Sequence, residues 1–161
     1  MKYVLGNVRI DQARFDEAFD LHQSALVCWR KTLGEEHHKT GDAWHKMGWH
    51  SIRLRRWEEA RDALKSSLNV YKSGKDEDFY QGEIACSSYR LALVLRELGE
   101  GEKAEELMIL AEGIRVDMSQ SRPGADSTQR EAKGGHDTEA IGWCPKTGIS
   151  LDMAIIARTS L

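Results

Sequence analysis

The residues best equipped for chemistry in this chain are its six histidines, since a neutral imidazole binds transition metals and exchanges protons near neutral pH. His37, His38, His45 and His50 fall within 14 positions. Two helical histidines can share one ion when they are four apart and lie on the same face. His45 and His50 are five apart, about 140° around a helix axis, so they do not form such a pair. The expectation is solvated or linker-packing imidazoles and no metal site. Cys28, Cys86 and Cys144 are far apart, odd in number and without a Cys-x-x-Cys pair, which predicts free thiols and neither a disulfide framework nor a zinc site.

Two charge clusters are equally plain. Arg53-Leu54-Arg55-Arg56 is followed at once by Glu58 and Glu59, the pattern of a solvated turn with local ion pairing and not of a nucleic-acid contact. Glu100, Glu102, Glu105 and Glu106 suit the N-terminus of a helix, where the dipole favours acids. No phosphate-binding loop, nucleophile elbow or zinc-protease helix is present in the sequence. The chain is therefore expected to bind no cofactor and to catalyse no reaction.

The polypeptide that must position these residues has 161 residues, 40% of them hydrophobic, enough for one modest core. A formal charge of −3, from 23 basic and 26 acidic side chains, gives no electrostatic footprint for nucleic acid or an anionic membrane. No apolar run approaches the roughly 20 residues that span a bilayer, and the first residues lack the apolar stretch of a signal peptide. A cytoplasmic location is expected.

Self-similarity organises the first 118 positions. Leu5-Gly6 followed by Arg14-Phe15-Asp16-Glu17-Ala18 recurs as Met47-Gly48 followed by Arg56-Trp57-Glu58-Glu59-Ala60, a shift of 42 positions. A looser third copy, Leu91-Ala92 followed by Glu102-Lys103-Ala104, lies 44 positions further on, and the two extra residues fit between Ser73 and Asp78. Apolar residues within each copy recur at spacings of three and four, as in Trp57, Ala60, Leu64 and Leu68. Each copy is thus two amphipathic helices. The pattern predicts helices at about 2–12, 15–31, 40–54, 57–72, 80–97 and 101–117, with Asp76 or Asp78 capping the fifth and Ser73-Gly74 closing the fourth. Gly6, Gly48 and Ala92 on the first helices, answered by Ala18, Ala60 and Ala104 on the second, let the backbones of each pair approach closely.

These small, aromatic and alanine positions resemble the tetratricopeptide repeat, with Trp44 where that repeat often opens its first helix with an aromatic. The 42-residue spacing and the linker Leu33-Gly34-Glu35-Glu36-His37-His38-Lys39-Thr40 look like kinesin-light-chain-type repeats, although His38 stands where that linker has proline and Gly101 replaces the aromatic of Phe15 and Trp57. The resemblance implies an all-α fold, a short α-solenoid of about three hairpins and six helices over residues 1–118, with repeats at about 1–34, 35–75 and 76–118. It also implies a concave peptide-binding face. His22 occupies a position that is usually apolar in the repeat, so a half-buried, hydrogen-bonded imidazole is expected there.

In such a stack one face of every first helix lines the concave surface. The faces not used by the small residues carry Tyr3, Asn7 and Asp11; His45, Trp49 and Arg53; and Tyr89, Leu93 and Arg96. Aromatic area, the amide of Asn7 and the guanidinium groups of Arg53 and Arg96 suit an extended peptide with a carboxylate. The resemblance supports Asn7 most, because asparagine at the matching position often contacts peptide backbone. Burial between adjacent repeats is the competing reading for Trp49 and Leu93. The expected function is a protein-binding adaptor or scaffold, with an oligomerisation module, a remnant of a larger repeat protein or an accessory protein of a pathway as alternatives. Self-association through uncapped repeat ends is a further expectation.

After about Asp117 the helical pattern stops. Both prolines, Pro123 and Pro145, lie beyond it, and residues 119–161 read as a linker and mostly disordered tail. Trp143-Cys144-Pro145 and Leu151 to Ala157 are nevertheless too apolar for a purely solvating tail, and the final segment is consistent with a helix packing in the concave groove, with a recognition motif or with non-native coding sequence.

Overall fold

The computed structural model describes residues 1–73 and 77–120. The chain forms α1 (Lys2–Asp11), α2 (Phe15–Leu33), α3 (His38–Arg53), α4 (Trp57–Ser73), a 3-10 turn (Glu77–Tyr80), α5 (Gln81–Glu97) and α6 (Gly101–Gln120). Consecutive helices pack on one another as three hairpins, an all-α solenoid with no strand among the described residues. The expected spans hold to within three residues: α2 runs on to Leu33, α3 begins at His38, α6 runs to Gln120, and a 3-10 turn leads into α5. The proposed caps Gly74 and Asp76 lie outside the described residues, as does the tail from 121 onwards with Cys144.

Each first helix ends in the same way. Ala13, Arg55 and Gly99 adopt left-handed backbone, with φ of 57°, 55° and 80°, at the 42- and 44-position shifts of the sequence repeat. The amide of Ala13 donates to the Ile10 carbonyl and that of Arg14 to Arg9; Arg55 and Arg56 repeat these bonds onto Ile52 and Ser51, and Gly99 and Glu100 onto Arg96 and Leu95. This pair of bonds satisfies carbonyls that a helix end otherwise leaves open. Only the third repeat places glycine at the left-handed position, where a side chain costs about 1 kcal/mol. Ala13→Gly and Arg55→Gly should therefore each stabilise the protein by about 0.5–1 kcal/mol, measured as a rise in the urea midpoint at unchanged slope.

The larger core lies between α3 and α6, where Ile52, Leu64, Leu68, Tyr71, Ile84, Leu91 and Val94 interdigitate around Ala60, Ala92 and Ala104. A smaller cluster of Ile10, Ala18 and Trp49, with Phe15 against it, joins the first hairpin to the second. The small residues act as the sequence suggests, but the neighbour is one turn further along. A Cβ on Gly48 would meet the Leu64 side chain at 2.6 Å, and one on Gly6 would meet the His22 ring at 2.5 Å.

Candidate functional site

The first helices α1, α3 and α5 carry the nine residues expected on the inner face, and the structure treats them unequally. Asp11 and Arg96 are exposed, Tyr3, Asn7, Arg53 and Tyr89 are half-buried, and His45, Trp49 and Leu93 are buried. Tyr3 packs its ring 5.1 Å from Trp29 and 5.2 Å from His22, on α2. The repeated helix ends also fix the register: Glu97 is the third-repeat counterpart of Asp11 and Arg53, whereas Arg96 matches the buried Ile10 and Ile52.

Trp49 and Arg53 do come together, and they bring Phe15 with them. The Arg53 guanidinium lies 3.5 Å from the centroid of Phe15 and 5.2 Å from that of Trp49, and the two rings are 6.1 Å apart. Such stacking holds a cation by the ring quadrupoles. Arg53 has no carboxylate partner among the described residues, and burial lowers its pKa from the usual arginine value without discharging it. Asn7 presents the same feature in neutral form: its Oδ1 is buried and has no hydrogen-bond partner among the described residues. Phe15 reads in the sequence as the aromatic that opens the second helix and not as part of the concave face, whereas its ring lies against Trp49 of the next hairpin. Its place one repeat before Trp57 shows that it is an aromatic of the hairpin junction.

The histidines correct a second expectation. His45 and His50 are not solvated, at 6% and 3% exposure, and His22 is fully buried, not half-buried. Their partners come from other helices. The His22 Nε2–H donates to the Tyr3 carbonyl at 3.2 Å, which leaves Nδ1 to accept from the His50 Nε2–H at 2.9 Å. At the next junction Arg90 donates to His45 Nε2, so His45 Nδ1–H donates to Ser87 Oγ at 2.7 Å, and Ser67 Oγ lies 3.4 Å from that hydroxyl. Each chain requires its accepting imidazole to be neutral, His22 in the first and His45 in the second. Burial, then the nearby Lys46 ammonium, pushes His22 down to about 4; burial, His22 and Lys46 push His50 to about 3. Burial and Arg90 hold His45 well below the ordinary value. These are hydrogen-bonded seams between hairpins. Among the described residues no group of three or more possible ligands could hold a metal.

His37 sits in the linker and His38 opens α3. His37 Nδ1 caps α3 by accepting from the Lys39 amide at 3.2 Å, and its ring stacks 4.3 Å from that of His38. Cys28 is an exposed free thiol and Cys86 a buried one. No described helix is long and apolar enough to cross a membrane.

Hairpins stacked through second-helix to first-helix contacts define an α-solenoid. Residues 1–73, the first two hairpins, match the family described as tetratricopeptide repeat, and the third hairpin continues the same fold. Among solved structures the chain is similar to the crystal structure of BtubC (BKLC) from P. vanneervenii, with 18% identity, a TM-score of 0.66, and coverage of 84% of this chain and 52% of that one. The present chain spans about half the length of that structure. No curated protein matches the sequence. Tetratricopeptide repeats generally mediate protein–protein interactions and are typically non-catalytic.

Proposed function

We propose that this chain is a non-catalytic, cytoplasmic adaptor that holds an extended segment of a partner protein along the inner faces of α1, α3 and α5. The observation that carries this reading is Arg53: a guanidinium set against Phe15 and Trp49 and lacking a carboxylate partner among the described residues. Its partial burial raises the strength of any charge-assisted bond it makes. One repeat away, Asn7 offers an unsatisfied amide oxygen to a peptide N–H. Arg96 and Tyr89 extend the surface towards the third hairpin, while Trp49 contributes as a support for Arg53, being itself buried. The partner is thus a peptide with an acidic residue seated at Arg53 and backbone donors near Asn7.

A library of synthetic acidic and neutral peptides tests this reading. Acidic sequences should be enriched, and their affinity should fall about tenfold or more in Arg53→Ala, the loss expected for one charged hydrogen bond. Asn7→Ala should weaken acidic and neutral peptides alike. Peptides bound equally by wild type and by both variants would refute the face.

A further inference from the structure

The three first helices end in a row of charges that the fold itself does not neutralise. Asp11, Arg53 and Glu97 are the last residues of α1, α3 and α5, each two positions before the left-handed residue that closes its helix. The repeat therefore sets them side by side at one level of the stack. Asp11 and Glu97 are exposed and Arg53 is half-buried. None of the three forms an ion pair among the described residues. Cations near them in sequence are engaged elsewhere: Glu17 holds both Arg9 and Arg14, and Glu100 holds Lys103. Arg96 adjoins Glu97 but is turned about 100° away around the helix axis.

Spacing explains why the row does not close on itself. α3 and α5 touch directly, and packed helices lie about 8–10 Å apart, at least twice the roughly 4 Å reach of an ion pair. A carboxylate on the last residue of a helix also opposes the helix dipole, whereas a cation there complies with it. Arg53 thus suits its own helix end, while Asp11 and Glu97 weaken theirs. A bound cation at each would relieve that repulsion.

Building on the seat for an acidic residue at Arg53 proposed above, we infer that the partner segment carries a basic residue three positions to each side of that acidic one, so that two cations meet Asp11 and Glu97. An extended chain advances about 3.3 Å per residue, which makes three residues the step from one hairpin to the next. A helical segment, at about 1.5 Å per residue, would need about seven. The order of charges also selects against a purely acidic partner. Such a tract would seat one carboxylate at Arg53 and bring its neighbours against Asp11 and Glu97, within a Debye length of like charges. The row that accepts a mixed segment thereby rejects a polyacidic one.

Fluorescence anisotropy with the full chain and labelled Lys-x-x-Glu-x-x-Lys, Ser-x-x-Glu-x-x-Ser and Glu-x-x-Glu-x-x-Glu peptides, with Gly and Ser at x, tests the pattern. The Lys-flanked peptide should bind on the order of tenfold more tightly than the Ser-flanked one, the gain from two exposed ion pairs, and the Glu-flanked peptide should bind weakest. Asp11→Lys/Glu97→Lys, which breaks no ion pair among the described residues, should invert that order. About 1 M salt, with a Debye length of about 3 Å, should level it. Arg53→Ala should weaken all three peptides. Equal affinities of the Lys- and Ser-flanked peptides that still depend on Arg53 overturn the flanking cations and leave the acidic seat standing, whereas affinities that ignore Arg53 overturn both. An order unchanged by the charge reversal also overturns the mixed-charge partner, as does a preference for Lys placed seven residues from Glu, which points to a helix.

Discussion

Gly48→Ala should destabilise the protein by about 1–2 kcal/mol, whereas Gly113→Ala should stabilise it by about 1 kcal/mol. Both glycines sit inside helices, where alanine is intrinsically better by about 1 kcal/mol. Space decides the sign. Nothing lies within 4 Å of a Cβ on Gly113, so the propensity gain is realised in full. A Cβ on Gly48 would stand 2.6 Å from Leu64 Cγ and 2.9 Å from its Cδ2, and Leu64 is 0% exposed with no room to retreat. Overpacking of that kind costs about 1–3 kcal/mol, more than the propensity returns. Gly48→Val, with two further methyl groups, should cost more than 3 kcal/mol and leave the second hairpin poorly formed. Urea titrations at neutral pH measure all three. A Gly48→Ala protein as stable as the wild type would mean that α3 and α4 can separate without penalty.

That packing was legible in the sequence because small residues recurred at fixed shifts beside an otherwise apolar pattern. The hairpin order and helix spans followed from the same periodicity, since each helix buries one continuous stripe. What escaped was any burial whose reason lies on another helix. A histidine at a core position looks polar until its partner is known, and the partners of His22 and His45, the Tyr3 carbonyl and Ser87, lie in other helices. Lys46 and Arg90 are buried for the same kind of reason, in a seam between hairpins. Trp49 was assigned to the concave face by its angle on α3. Its ring is claimed by Phe15 of the preceding hairpin, so the inner surface at that level is formed by Arg53 lying over the two rings.

Those seams make the second large effect a pH effect: stability should fall steeply as the solution is acidified below about pH 6.5. The unfolded chain presents histidines with the ordinary value of about 6.5, while folding lowers His22 to about 4 and His50 to about 3. Between those limits the unfolded state binds protons that the folded state refuses, so ΔG of unfolding decreases as pH decreases, by about 1.4 kcal/mol per pH unit for each histidine. From pH 7.5 to pH 5 the His22–His50 pair alone accounts for a loss of roughly 4 kcal/mol. His45, shifted in the same direction beside Arg90, adds to it. Carboxylates contribute in a different window: Glu100 and Glu112 are lowered by Lys103 and Arg115, so their share is lost only as the pH falls below about 4.5. The sequence of events should follow the geometry. A proton on His22 Nδ1 removes the acceptor of the Tyr3–His22–His50 chain, and a proton on either ring places a charge beside Lys46, so the junction between the first two hairpins opens before the core of α3 to α6. Urea midpoints at pH 7.5 and 5.0, with tryptophan fluorescence reporting Trp29 and Trp49 at that junction, measure the loss. In His22→Gln/His50→Gln the stability should be lower at pH 7.5, while the pH slope above pH 5 should shrink by about two protons, leaving the part due to His45. Equal midpoints for the wild type at the two pH values would show that these imidazoles are solvated when folded, contrary to the structure.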